Sequence, residues 1–195
     1  MKKLFLTLTA ITALTFAANA QTEKGKFIVG GQVGFSTEKI QDTDLKENSF
    51  SLMPQVGYFI TDNFAIGTGV GYEWSKKEAV GVETVNDAFK VAPFGRYYMG
   101  EGPVKFFGQL SAPMSWGKVE VDDIKTHKVN NYGVELAPGF AYFPTSKIGI
   151  EFKVRGLYYN HNQTTNELTD AKVKTNSFGL DANSLAPTIG VQFHF

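Results

Sequence analysis

The sequence predicts an all-β protein, an eight-stranded antiparallel up-and-down transmembrane β-barrel. Three observations lead there. Eight stretches alternate apolar and small or polar residues with a period of two, the signature of strands with one face in each environment. The connections between them alternate long and short. The last stretch runs to the end of the chain as Leu185, Pro187, Ile189, Val191, Phe193 and Phe195, with small or polar residues between. A strand with an aromatic terminus is unusual for a domain in water, whose ends are commonly polar and frayed. It suits the closing strand of a barrel in lipid.

Export is expected from the first 20 residues. Lys2 and Lys3 precede an apolar run from Leu4 to Ala17, and Ala18, Asn19 and Ala20 form a small-x-small cleavage site. That is the layout of a secretory signal peptide cut after Ala20. The apolar run is shorter than the roughly 20 residues a spanning helix needs. The chain therefore divides into a signal peptide, 1–20, and one barrel domain, 21–195. Removal of the leader leaves 17 basic residues against 19 acidic ones, a formal charge of −2. No basic excess is present to hold nucleic acid. The chain has no cysteine, which excludes disulfides, thiolate metal sites, a lipid-modified cysteine and a cysteine nucleophile.

The strands follow in order. The first, 26–37, sets Phe27, Val29, Val33 and Phe35 against Gly30, Gln32, Gly34 and Ser36. The second, 49–60, sets Phe50, Leu52, Val56, Tyr58 and Ile60 against Ser49, Ser51, Gln55 and Gly57. In the third, 64–75, Phe64, Ile66, Val70, Tyr72 and Trp74 alternate with Ala65, Gly67, Gly69, Gly71, Glu73 and Ser75. The fourth, 87–99, has less cleanly separated faces, with Phe89, Val91, Pro93, Tyr97 and Met99 opposite Lys90, Ala92, Phe94, Arg96 and Tyr98. The fifth, 104–116, opposes Phe106, Leu110, Met114 and Trp116 to Lys105, Phe107, Gln109, Ser111 and Ser115. The sixth, 130–143, opposes Tyr132, Val134, Leu136, Phe140 and Tyr142 to Gly133, Glu135, Ala137 and Gly139. The seventh, 148–159, places Ile148, Ile150, Phe152, Val154 and Tyr158 on the apolar face and Gly149, Glu151, Lys153 and Arg155 on the other. The eighth is the C-terminal stretch; Phe178 to Leu180 lie in the opposite phase, so a bulge or loop is expected near 181–184.

The links 38–48, 76–86, 117–129 and 160–176 are long and polar, whereas 61–63, 100–103 and 144–147 are tight. Four long loops on one side and three short turns on the other suit a barrel with both ends in the periplasm. The polar face is dominated by Gly, Ala and Ser. Glycine weakens a strand exposed to water, but the interior of an eight-stranded barrel is barely wide enough for side chains and requires small residues. Aromatics gather near the ends of the apolar faces, among them Tyr58, Phe64, Trp74, Tyr97, Phe106, Trp116, Tyr132, Tyr142, Tyr158, Phe193 and Phe195. They read as the two girdles of a membrane barrel.

On the signal peptide, the turn–strand unit Tyr58 to Gly67 and the terminal Val191, Gln192, Phe193, His194 and Phe195, the sequence resembles the small eight-stranded outer-membrane β-barrel proteins of Gram-negative bacteria. This is the broad porin-like or OmpX/OmpA-barrel type. The resemblance is one of pattern over the whole mature chain. It implies residence in the cell outer membrane among lipid and lipopolysaccharide. It also implies that the barrel-assembly machinery reads Val191, Phe193 and Phe195, and it implies no enzymatic activity and no cofactor. No peptidoglycan-binding domain is expected after the barrel. The long loops suit a host or surface ligand as well as a shield for the barrel.

Eight charged residues are expected to point inward: Glu73, Glu135, Glu151, Lys90, Arg96, Lys105, Lys153 and Arg155. Unpaired charges in a narrow lumen surrounded by lipid are costly, so these should pair into an ionic cluster. Such a cluster plugs the barrel and supports a structural or surface-interaction role. The alternative is a narrow porin-like channel for ions or small solutes, biased toward anions by the net positive sign of the set. A membrane lipid-modifying enzyme is a more distant alternative, because it needs a nucleophile–base pair. His127 and His161 fall in long loops, and His194 falls at the periplasmic end. Asp122, Asp123 and His127 make a weak metal set without a scaffold. Gly67, Gly69 and Gly71 lie within a strand and precede no helix, so the phosphate-loop context is missing.

Overall fold

The computed structural model describes residues 22–39, 45–180 and 188–195. Eleven β segments form one antiparallel sheet. They are β1 (Phe27–Lys39), β2 (Lys46–Phe59), β3 (Phe64–Ala79), β4 (Val82–Met99), β5 (Val104–Ser111), β6 (Met114–Val121), β7 (Ile124–Thr145), β8 (Ile148–Lys153), β9 (Leu157–Asn166), β10 (Lys172–Leu180) and β11 (Thr188–His194). Three pairs, β5 with β6, β8 with β9 and β10 with β11, are halves of single strands, so the barrel has eight. It closes where β11 pairs with both β8 and β1, from Ile28 opposite His194 to Gly31 opposite Val191. The expected fold class is borne out. The expected signal cleavage site, Ala18 and Ala20, and the bulge near 181–184 lie outside the described residues.

Prolines account for two of the interruptions. Proline has no N–H to give to a ladder. At Ala112 and Pro113, between β5 and β6, the Ala112 N–H donates to the Pro93 carbonyl and Gly133 donates to that of Pro113, each at 2.9 Å. Between β8 and β9 the Val154 N–H donates to the Pro138 carbonyl at 3.1 Å. The second break changes the side-chain phase. Tyr158, expected on the apolar outer face, stands opposite Glu135 and faces inward, while Leu157 and Tyr159 are exposed.

The tight turns lie where expected, between Phe59 and Phe64, Met99 and Val104, and Thr145 and Ile148. Three of the four long connections are not loops. The ladder between β3 and β4 continues to Ala79 opposite Val82, and that between β6 and β7 to Val121 opposite Ile124. β9 and β10 pair from Leu157–Leu180 up to Thr165–Lys172. Ion pairs link these polar segments to their neighbours. Lys76 meets Glu83 at 2.7 Å, Lys118 meets Asp87 at 3.5 Å, and Glu167 meets Lys128 at 3.2 Å and Lys125 at 3.6 Å.

The outer face carries an apolar band. On β3 it runs from Phe64 to Trp74, eleven residues that span about 25 Å once strand tilt is allowed for. Trp116 and Tyr132 mark its upper edge on neighbouring strands, with the indole Nε1–H donating to the Tyr132 hydroxyl at 3.2 Å. Phe27, Tyr58, Tyr97, Phe106, Tyr142, Phe193 and Phe195 crowd the lower edge and are all exposed.

Inside, glycines make room for rings. A Cβ on Gly67 would lie 2.6 Å from the Phe94 ring, and one on Gly139 would collide with the Phe107 ring and the Phe152 carbonyl. Gly67→Val should therefore destabilise the folded barrel by about 1–3 kcal/mol through overpacking. The check is the urea midpoint of the fast-migrating folded band in lipid vesicles. A second expectation concerns the β9–β10 hairpin. Hydrogen bonding from Lys128, with the charges of Lys125 and Lys128, holds the Glu167 carboxyl below its usual range. Its contribution to hairpin order is therefore complete above the ordinary glutamate pKa and is lost as pH falls through the lower folded value. The protection factors of amides at residues 160–176, corrected for the slower intrinsic exchange at low pH, should fall on going from about pH 7 to about pH 3, and Glu167→Gln should remove that change.

Candidate functional site: the barrel lumen

The short-turn end of the lumen is filled. Ile28, Phe59, Ala65, Tyr98, Phe107, Ala141 and Phe143 form one buried apolar cluster. The His194 ring lies 5.8 Å from that of Phe59 and 5.1 Å from that of Phe143. These side chains come from β1, β2, β3, β4, β5, β7 and β11, so the layer crosses the whole section. Small inward residues opposite large ones let rings fill a width that large side chains on every strand would overfill.

A polar layer sits on this floor. Arg96 is 1% exposed, yet each of its guanidinium nitrogens donates a hydrogen bond. Nε and Nη2 donate to Gln109 Oε1 at 2.9 and 2.6 Å. Nη1 donates to the Tyr98 hydroxyl at 2.9 Å and to Glu151 Oε1 at 2.5 Å. The Tyr98 hydroxyl donates in turn to Glu151 Oε1 at 3.1 Å, and Gln192 Nε2 donates to Glu151 Oε2 at 2.8 Å. Gln109 passes its own amide N–H to Ser111 Oγ at 3.0 Å. The guanidinium also lies 4.4 Å from the Phe107 ring centroid. A buried ion pair offsets its desolvation only when its remaining donors and acceptors are met. Four strands supply those partners here.

Above the plug the lumen widens into a polar basin. Lys90 pairs with Glu73 at 2.6 Å, and Arg155 approaches Glu135 at 3.4 Å. Ser115, Asn131 and Asn162 are linked, with Asn131 donating to Ser115 at 3.1 Å and Asn162 donating to Asn131. Cavities of about 450 and 400 Å³ share Ser115 and Asn131 and open toward the hairpins.

The eight expected lumen charges thus separate into layers instead of forming one cluster. Arg96 and Glu151 lie in the plug, and Glu73 with Lys90 and Glu135 with Arg155 lie in the basin. Lys105 reaches the short-turn rim, where its ammonium donates to the Thr22 hydroxyl at 2.5 Å. Lys153 closes no ion pair among the described residues; Arg96, Glu135 and Glu151 are its charged neighbours. Tyr98, Phe107 and Gln109 lie on the inward faces expected of them, but their part in the plug, with that of Gln192 and the ring stack, was not expected. Their inward phase relative to Arg96 and Glu151 was the available signal, but neutral side chains carry no cost that demands a partner. Val191, Phe193 and Phe195 face outward on β11, beside the β1 seam.

The histidines of the hairpins are held by neutral partners. His127 Nδ1 lies 3.0 Å from Thr126 Oγ1, and His161 Nδ1 lies 2.7 Å from Asn176 Oδ1. Asp122 and Asp123 form a tight turn at positive φ, with Asp122 Oδ1 accepting from the Glu83 N–H at 3.0 Å. No grouping suited to a metal ion occurs among the described residues.

The model of the outer membrane protein beta-barrel domain matches residues 6–183. No curated protein sequence matches the chain. Among solved structures, Neisserial surface protein A superposes with a TM-score of 0.50 at 15% identity, covering 88% of this chain and 98% of that one. The outer membrane protein OprG from Pseudomonas aeruginosa superposes with a TM-score of 0.50 at 14% identity, covering 91% and 99%. At such identities these likenesses establish the fold alone. The family match extends over most of the sequence and agrees with the closed barrel and its apolar band. The chain therefore belongs to the outer membrane protein β-barrel domain family and resides in the cell outer membrane.

Proposed function

We propose that this protein is a closed, non-enzymatic barrel with a structural or surface-interaction role, carried out by its extracellular hairpins. The observation that carries the reading is the continuous obstruction of the lumen. Arg96, Tyr98, Phe59, Phe107, Gln192 and His194 each have at most 1% of their surface exposed. A conduction path at that level would have to break a satisfied ion pair and part a ring stack. The hairpins, in contrast, are rigid ladders that present polar edges and tips on the cell surface. The partners in this reading are outer-membrane lipid and lipopolysaccharide around the apolar band, and a host or surface ligand at the hairpins. The barrel-assembly machinery engages Val191, Phe193 and Phe195, after export and cleavage behind Ala20.

Planar-bilayer recording tests it. The native barrel should show no discrete conductance steps, and Arg96→Ala combined with Phe107→Ala should produce them. Regular steps from the native protein would sink the reading in favour of a narrow channel. Glu151→Gln alone should cost about 3–5 kcal/mol of stability, because it strands the buried Arg96 charge. Urea unfolding in vesicles reads that loss, and replacing both members by methionine should recover much of it.

A further inference from the structure

We infer that the outward face of the β9–β10 hairpin is a docking surface for lipopolysaccharide, with two lysines that take a phosphate of its head group. The inference rests on the lipopolysaccharide partnership proposed above and names the residues and the chemical group behind it. Residues paired across a ladder share a face of the sheet. Leu157 and Tyr159 face outward with their opposites Leu180 and Phe178, and all four are exposed. The same face continues upward through His161 with Asn176, Gln163 with Lys174, and Thr165 with Lys172.

The lower half of this face belongs to the apolar band. Leu180 stands opposite Leu157, Leu157 opposite Leu136, and Leu136 opposite Leu110, one outward row of leucines over four strands. Phe178 and Leu180 are 75% and 69% exposed, so they offer acyl chains a large contact area. The boundary follows directly above. His161 stands opposite Tyr132 of the upper aromatic edge. Its Nδ1–H donates to Asn176 Oδ1 at 2.7 Å, and the Tyr159 hydroxyl donates to the same oxygen at 3.2 Å. A protein partner in water reaches only the polar half of such a face. A lipid with an anionic head covers both halves.

Charge identifies the head group. Neither β9 nor β10 contains an aspartate or a glutamate. Lys172 and Lys174 are exposed, lie two residues apart on the outward face, and form no ion pair among the described residues. The outward lysines of β3, β6 and β7 already hold carboxylates: Lys76 with Glu78 and Glu83, Lys118 with Asp87 and Glu120, and Lys125 and Lys128 with Glu167. Glu167 is thereby committed away from β10, and Asp170 of the tip turn comes within ion-pair distance of neither lysine. Two ammonium groups about 7 Å apart along the strand can close on one phosphate with their flexible stems. Lipid A carries phosphate where its sugar head meets its acyl chains, the same order as Lys174 above Phe178.

The test uses the full barrel folded in phosphatidylcholine nanodiscs doped with bis-phosphorylated lipid A or with the same lipid A dephosphorylated. Native mass spectrometry counts the lipid that each sample retains. The native protein should retain the phosphorylated form in preference. Lys172→Gln combined with Lys174→Gln should cut that preference by about tenfold to thirtyfold, the range for two lysines at an anionic lipid surface. Lys174→Gln alone carries the test if the double variant fails to give the heat-modifiable folded band. Lys118→Gln removes a lysine that already holds carboxylates and should leave the preference unchanged. An undiminished preference in the β10 variants, or an equal loss in Lys118→Gln, would overturn the proposal. Displacement of lipid A by millimolar inorganic phosphate would also overturn it, by assigning the lysines to a free anion. Equal retention of both forms by the native protein would sink the phosphate site and leave the lipid partnership standing, whereas retention of neither would sink both.

Discussion

The apolar outer band forces every other feature of this molecule. Hydrocarbon offers no partner for a backbone N–H or C=O, so a sheet in lipid must close on itself. With eight strands, closure produces a cylinder only as wide as a few side chains. The inner face must therefore be filled at one level without being overfilled at any. Glycines beneath Phe94 and Phe107, alanines at positions 65, 137 and 141, and the rings of Phe59, Tyr98 and Phe143 together meet that condition.

The same constraint explains the chemistry of the lumen. A charge at the plug has little water to solvate it, so Arg96 and Glu151 share a network that uses Tyr98, Gln109 and Gln192 as intermediaries. Higher up, where the barrel meets solvent, the ion pairs are partly exposed. Arg155 and Glu135 approach without a hydrogen bond, and Lys153 has no ion-pair partner among the described residues. The gradient from satisfied to incompletely satisfied charge follows the gradient from dry to wet.

Outside the membrane the sheet does not stop. β3 and β4, β6 and β7, and β9 and β10 carry their pairing into polar sequence, where Lys76 pairs from β3 to β4, Lys118 from β6 to β4, and Glu167 with Lys128 of β7. Rigid hairpins lose less conformational freedom on meeting a ligand than flexible loops of equal length. Any surface partner therefore meets a largely preformed wall.

Period-two alternation and the phase of Phe64 through Trp74 determined strand number, facing and membrane residence, because a face that meets lipid cannot carry charge. The alternating connection lengths determined which end has tight turns. Polar segments 76–86, 117–129 and 160–176 read as loops, because cross-strand ion pairs leave no period in hydrophobicity. The inward turn of Tyr158 was likewise hidden, since it depends on Pro138 across the sheet interrupting the ladder at 154–156. Sequence phase put eight charges on the inward faces, but only the tertiary structure decided their partners. Pairing across a barrel is set by height and register, and residues as distant as Arg96 and Glu151 meet only once the sheet has closed.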